Sequence, residues 1–357
     1  MLYTRLILFM STILVLISPD FTPALNNDYG LTTEDELNYP AKQTAIQRFW
    51  KGTREGAFKG CGDITIRYRY TDSQGDKGGI VIVNGRRESF LKYKETAYDL
   101  YRQGFSIYMY DHRGQGVSGR MLHDPCIGHV EDFNHYVRDL KKFYQQVVNE
   151  KEKNDVYLLA HSMGGAIAAL YLEEYPGDFR AAALASPMME INTGIVPTAV
   201  ACKTADWLQG IRQLMEWRSD YIPFTGPYKK KSFSENRLSH SQIRYKIFTS
   251  LYEKRPEAAL GGPSPGWVSA ACKAGRKARQ EADRIKTPVL LLQAGQDELV
   301  TASGQQEFCD HLVSGGTSRC HGGGPKVIKG AYHELLIEKD EYRIPALTQV
   351  LDFFAKQ

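Results

Sequence analysis

No two of the six cysteines form a C-x-x-C pair, so the ligand spacing of a structural zinc site is missing. No excess of one charge sign marks the chain as a nucleic-acid binder: 45 Lys and Arg stand against 41 Asp and Glu, a net charge of +4. Internal repeats and low-complexity tracts are absent, which excludes solenoid, fibrous and disordered classes. The glycine-rich stretch Gly114–Gly119 reads G-Q-G-V-S-G. It has neither the G-x-G-x-x-G of a dinucleotide fold nor the lysine of a phosphate-binding loop, so no cofactor and no metal is expected. The longest feature at the N-terminus, the apolar run Leu6–Ile17, has twelve residues and spans roughly 18 Å as a helix, short of a bilayer core.

What is present suits a globular protein: 357 residues, 42% hydrophobic and 24% charged, enough for a large core. Arg5, the apolar run and then Pro19 and Pro23 read as a secretory signal peptide, with Thr22-Pro23-Ala24 a weak cleavage site, so residues 1–25 form either a cleaved signal or an uncleaved anchor. Export to the periplasm or cell envelope follows as an expectation. In an exported chain the cysteines can pair, and Cys309 with Cys320 would close a short loop; buried free thiols are the equal alternative for Cys61, Cys126, Cys202, Cys272, Cys309 and Cys320.

Residues 26–186 carry a repeating pattern. The spacing predicts a helix near Lys42–Trp50, a half-exposed strand over Ile64–Tyr70 and a buried strand over Ile80–Val83. A helix over Leu91–Arg102, a strand over Phe105–Tyr110, a long helix over Val130–Asn149 and strands at Val156–Leu159 and Ala181–Ala185 follow. Strands alternating with helices imply a mostly parallel sheet covered on both faces. Residues 187–286 break the pattern, with helical pieces only around Ala199–Trp217 and Ser239–Leu251. They hold 17 Lys and Arg against 9 Asp and Glu; a solvated face is the usual meaning of such a charge run, and a basic cap facing anionic lipid is the sharper alternative. Residues 287–357 resume it with a strand at Val289–Leu292, a helix at Thr301–His311, a short strand at Lys326–Ile328 and a helix at Ile344–Phe354.

The chemistry centres on Asp155–Gly165, D-V-Y-L-L-A-H-S-M-G-G. A buried strand meets a helix across a turn so tight that it would thrust the Ser162 hydroxyl outward, with Ala160 in place of the first glycine of G-x-S-x-G. A serine hydroxyl needs a base to accept its proton and a carboxylate to hold that base. Asp297, in the loop after the strand at Val289–Leu292, is the candidate acid, with Glu298 its rival. His333, after the last strand, is the candidate base; His321 precedes that strand and His311 ends a helix. The Met163 N–H and the Arg86 N–H, beside Gly85, are the candidate oxyanion donors. Asp111-His112-Arg113 is expected to brace the site.

Assembled, these phrases resemble the α/β-hydrolase superfamily, and specifically the bacterial lysophospholipases related to monoacylglycerol lipases. The resembling stretches are N-G-R-R-E-S at 84–89, D-H-R-G-Q-G-V-S-G-R at 111–120, A-H-S-M-G-G at 160–165, G-G-P-S-P-G-W-V at 261–268, P-V-L-L-L-Q-A at 288–294 and V-I-K-G-A-Y-H-E at 327–334. The resemblance implies an α/β-hydrolase fold, an eight-stranded, mostly parallel sheet with a helical cap, and cofactor-free ester hydrolysis with Ser162, Asp297 and His333 as the triad. Monoacylglycerol lipases carry a histidine where this chain has Asn84. Asn84, Arg87 and Trp267 are the candidate substrate contacts; Arg86, Arg87 or the cap lysines could meet a lipid phosphate, and Trp207, Trp217, Tyr221 and Phe224 could join Trp267 in an acyl channel. A lipid ester is the expected substrate, with a monoacylglycerol lipase, a general carboxylesterase or an idle lipid-binding module as alternatives.

Overall fold

The computed structural model describes residues 25–72, 75–214, 221–314 and 320–357; residues 1–24 of the signal or anchor segment and Trp217 lie outside them. A short helix α1 (Glu34–Leu37) and α2 (Pro40–Gly52) precede the first strands, β1 (Arg54–Lys59), β2 (Thr65–Thr71) and β3 (Gly79–Val83). Then come α3 (Lys94–Arg102), β4 (Ser106–Tyr110), α4 (Asn134–Phe143), α5 (Asn149–Lys151), β5 (Val156–His161), α6 (Met163–Glu174) and β6 (Ala181–Ala185). The stretch read as cap holds α7 (Thr198–Leu214), α8 (Gln242–Lys254) and α9 (Pro265–Gln280), before β7 (Val289–Ala294), α10 (Ala302–Ser314), β8 (Lys326–Ile328) and α11 (Asp340–Phe354).

The eight strands form one sheet in the order β1-β2-β4-β3-β5-β6-β7-β8. β1 and β2 run antiparallel to their neighbours, and every pairing from β4 through β8 is parallel. This is the mostly parallel sheet that the strand–helix alternation predicts. β3, β5 and β6 are buried at every position, as strands covered on both faces must be. Alternation along them feeds two cores. Val81, Val83, Leu158 and Ala160 pack with α4, α6 and α9, while Ile80, Ile82, Tyr157 and Leu159 pack with α3 and α11.

Two elements differ from the sequence reading. β1 falls in a stretch read as a polar lead-in, because R-E-G-A-F-K is an edge strand with no fully buried residue. α9 falls inside the stretch read as cap, yet Trp267, Ala270, Ala271, Ala274 and Ala278 bury it in the core beside α6. α9 is therefore the crossover helix between β6 and β7. A disulfide joins it to α7 through Cys202 and Cys272, and a second joins Cys309 to Cys320; Cys61 and Cys126 are free.

Candidate active site

Parallel strands end on one side of the sheet, and the loops that leave those ends converge there. β5 delivers Ser162 at φ 53° and ψ −119°, a conformation that costs a non-glycine residue energy. The chain can turn so sharply because a Cβ on Gly164 would lie 2.2 Å from the Val83 carbonyl oxygen, and one on Gly165 would lie 2.4 Å from Pro187 Cβ. Only hydrogen fits at either position, so α6 starts directly beneath the serine.

The loops after β7 and β8 supply the partners. His333 Nε2 lies 2.8 Å from Ser162 Oγ, and His333 Nδ1 lies 2.7 Å from Asp297 Oδ2. With Nδ1–H donating to the carboxylate, Nε2 is left as the acceptor for the serine hydroxyl. Asp297 is itself anchored, its Oδ1 accepting from the Leu299 and Val300 N–H groups at 2.8 and 3.2 Å. The rival Glu298 points elsewhere and lies on the surface, 3.9 Å from Arg237. His311 binds the Arg279 carbonyl, and His321 packs on Phe353. Neither histidine is part of the Ser162 relay.

The loop after β3 closes on the serine from the other side, where a Cβ on Gly85 would come 3.0 Å from Ser162 Cβ. Gly85 N–H donates to Glu88 at 2.6 Å and is thereby engaged; the N–H that follows it in the loop is that of Arg86. Met163 N–H, at the first position of α6, has no intrahelical acceptor.

Of the candidate substrate contacts, Asn84 and Trp267 are turned inward. Asn84 is 1% exposed and donates to the Tyr110 carbonyl and to Asp111, which makes it a brace for the loop. Trp267 is 6% exposed and lies within the core, because α9 carries it there. Arg87 is exposed, with Nε donating to the Leu260 carbonyl. Of the other cap aromatics, Trp207 and Phe224 stand on the surface and Tyr221 donates to Asp124.

Asp111 organises the same loop. It accepts from Ser89 Oγ, the Phe90 and Val117 N–H groups and Asn84, yet burial outweighs these donors and pushes its pKa up to about 6. His112 donates to the Asn84 carbonyl and is kept neutral by burial, its pKa lowered to about 4. Arg113 makes a bidentate bond to the buried Asp139 at 2.7 and 2.8 Å.

Sequence reasoning passed over one further group. Lys92 lies buried between Glu88 and Glu334, with His161 Nε2 3.1 Å from Glu334 and its ring 4.9 Å from that of His333. Burial alone would raise the Glu334 pKa, but Lys92 and His161 reverse this and hold its carboxyl well below the usual range. Burial would likewise lower His161, and Glu334 with Glu88 raises it. Glu88, His161 and Glu334 have the spacing of metal ligands, but the Lys92 ammonium sits between the two carboxylates and, with His161, offsets their charge. The i, i+4 spacing of Glu88 and Lys92 was the available signal.

A serine at a strained strand-to-helix turn, hydrogen-bonded to a histidine that an aspartate orients, on an eight-stranded sheet of this order, defines an α/β hydrolase. The family model Serine aminopeptidase, S33, matches residues 74–340, and the chain belongs to that family of hydrolases. It is 41% identical over 306 residues to lysophospholipase L2 of Escherichia coli, covering 86% of this chain and 88% of the relative. It is 25% identical over 288 residues to a monoacylglycerol lipase of Mycolicibacterium smegmatis, covering 80% of this chain and 92% of that protein. The crystal structure of Paleococcus ferrophilus monoacylglycerol lipase shares the fold, with a TM-score of 0.62 at 19% identity over 85% of this chain and 99% of that one.

Proposed function

We propose that this chain hydrolyses the fatty-acyl ester of lysophospholipids. The observation that carries the chemistry is the unbroken relay from Ser162 Oγ through His333 to Asp297. Ser162 attacks the acyl carbonyl as His333 Nε2 takes its proton, and the imidazolium is stabilised by Asp297. The Arg86 and Met163 N–H groups receive the oxyanion. His333 then returns the proton to the leaving glycerophosphoryl oxygen, leaving the acyl group on Ser162. Water, deprotonated by the same histidine, attacks the acyl-enzyme; the fatty acid leaves and Ser162 is regenerated.

The substrate class rests on the similarity to lysophospholipase L2 of Escherichia coli, which extends through the cap. Monoacylglycerol hydrolysis is the second reading, favoured by the relatives that carry that name. Exposed Lys229, Lys230 and Lys231 beside the fully exposed Phe224 support docking of the cap on an anionic lipid surface. Two disulfides fit an oxidising compartment and support export.

The test is labelling with a fluorophosphonate, followed by turnover of lysophosphatidylcholine, a monoacylglycerol and a p-nitrophenyl ester by wild type and Ser162→Ala. The proposal expects labelling and turnover in the wild type alone, with lysophosphatidylcholine preferred. Turnover surviving in Ser162→Ala would refute the relay, and a monoacylglycerol preference would select the second reading.

A further inference from the structure

Arg86 follows Gly85 in the loop that closes on Ser162, and among the described residues its guanidinium pairs with no carboxylate. Its guanidinium lies 4.7 Å from the centre of the Trp267 ring, and Nη2 donates to the Gly261 carbonyl at 2.9 Å. Nε is buried and, among the described residues, has no partner. Burial and the neighbouring Arg87 push the Arg86 pKa down to about 9, and no carboxylate offsets them.

Two further arginines gather at the same strand of loop. Arg87 donates Nε to the Leu260 carbonyl at 2.9 Å, and its guanidinium lies 5.8 Å from the Tyr228 ring. Arg120 donates Nη2 to the carbonyls of Glu257 and Ala259, while its buried Nη1 has no partner among the described residues. Asp111 and Glu257 act on Arg120 only at longer range, and none of the three arginines forms an ion pair among the described residues. Carbonyl oxygens and ring faces accept N–H groups but bring no net negative charge. Arg87 repels Arg86, and Arg86 and Arg120 stand partly desolvated, a cost that is retained where an anion is to be met.

The cluster adjoins the chemistry. Arg86 directly follows Gly85, the residue that touches Ser162. A phosphodiester offers a negative charge and two or more acceptor oxygens, which a planar guanidinium with spare N–H groups matches better than an ammonium does. The cap lysines suit this role less well: all three of Lys229–Lys231 are exposed, and Lys230 already pairs with Glu253.

We propose that the Arg86 and Arg87 guanidiniums, with Arg120 behind them, bind the phosphodiester of the lipid headgroup and select lysophospholipid over monoacylglycerol. This rests on the lipid-ester reading above and assigns its specificity to three residues.

The test compares kcat/KM for lauroyl lysophosphatidylcholine and 1-lauroylglycerol, two substrates with one acyl chain, in wild type, Arg86→Met, Arg87→Met and Arg86→Lys. The ratio is expected to fall about tenfold or more in Arg86→Met, chiefly through KM for the phospholipid, since one buried charge-assisted contact is worth about that much. Arg86→Lys should recover part of it, and Arg87→Met, at an exposed position, should lower the ratio even if Arg86→Met folds poorly. In addition, dodecylphosphocholine should slow fluorophosphonate labelling of Ser162 in wild type and lose that effect in Arg86→Met.

Both substrates falling together in every variant, with dodecylphosphocholine protection intact, overturns the inference. Protection by inorganic phosphate but not by dodecylphosphocholine also overturns it, in favour of a free-anion site. Wild type that cleaves a p-nitrophenyl ester but neither lipid removes the lipid-ester reading itself and takes the inference with it.

Discussion

Lys92 Nζ lies 2.6 Å from Glu334 Oε2, and this contact ties the residue after His333 to the segment that follows β3. Glu88, the other partner of Lys92, holds Gly85 N–H. One ammonium thus links the loop bearing the base to the loop that closes on Ser162. The arrangement is fully buried, so its charges balance only as a set.

Removing the cation should therefore cost both stability and rate. Lys92→Met leaves Glu88 and Glu334 facing each other in the interior, and the expected loss is about 3–5 kcal/mol in chemical denaturation. The kcat should fall more than KM changes, because the loops shift relative to one another without losing the substrate surface. A variant with wild-type midpoint and kcat would show that the two loops are held independently of Lys92.

Backbone strain at Ser162 gives a second expectation. The serine sits at φ 53° and ψ −119°, where a side chain is disfavoured and glycine is not. Ser162→Ala and Ser162→Gly both lack the nucleophile, but only the glycine variant relieves the strain. Ser162→Gly should unfold at higher denaturant than Ser162→Ala, by about 1 kcal/mol. Ordinarily an exchange of alanine for glycine lowers stability, so the sign of this difference is diagnostic.

The parts of this site that lie at strand ends were readable, because buried strands have a composition that survives without context. Val156–Leu159, Val289–Leu292 and Lys326–Ile328 mark three ends, and Ser162, Asp297 and His333 follow them. The structure brings those three residues within hydrogen-bond reach. What stayed hidden depends on three-dimensional neighbours. Lys92 in F-L-K-Y-K reads as a solvated helix residue, and its burial is set by Glu334, 242 positions away. Asn84 and Trp267 read as substrate contacts, and are internal because Asp111 and α9 enclose them. α9 itself is poor in large apolar residues. Its buried face is mostly alanine, glycine and serine, which pattern reading does not separate from a cap helix.

The Cys202–Cys272 disulfide pins α7 to α9, so it connects the cap to the crossover helix of the core. It spans 70 residues of chain, for which loop-closure entropy in the unfolded state predicts a contribution of about 4 kcal/mol. Cys202→Ser with Cys272→Ser should lower the unfolding midpoint accordingly. Equal midpoints in the oxidised protein and the double variant would assign the holding of α7 to packing alone.

Glu173 on α6 supplies a pH test away from the reaction. Its side chain is buried, 5% exposed, and among the described residues neither carboxyl oxygen has a hydrogen-bond partner. Burial, reinforced by Glu281 and only partly opposed by Lys277 and Arg284, pushes its pKa up to about 9. In the unfolded chain a glutamate ionises near its ordinary value of about 4.3. Between those two values the folded protein holds a proton that the unfolded chain has released, so stability from this group is complete below the lower value and drains away as pH rises through the upper one. Glu173→Gln keeps the shape and removes the titration. Thermal unfolding of the two proteins should converge near pH 4 and separate as the pH rises to 8.5, with the glutamine variant higher. Parallel curves over that range would mean that Glu173 ionises in the folded state as readily as in the unfolded one.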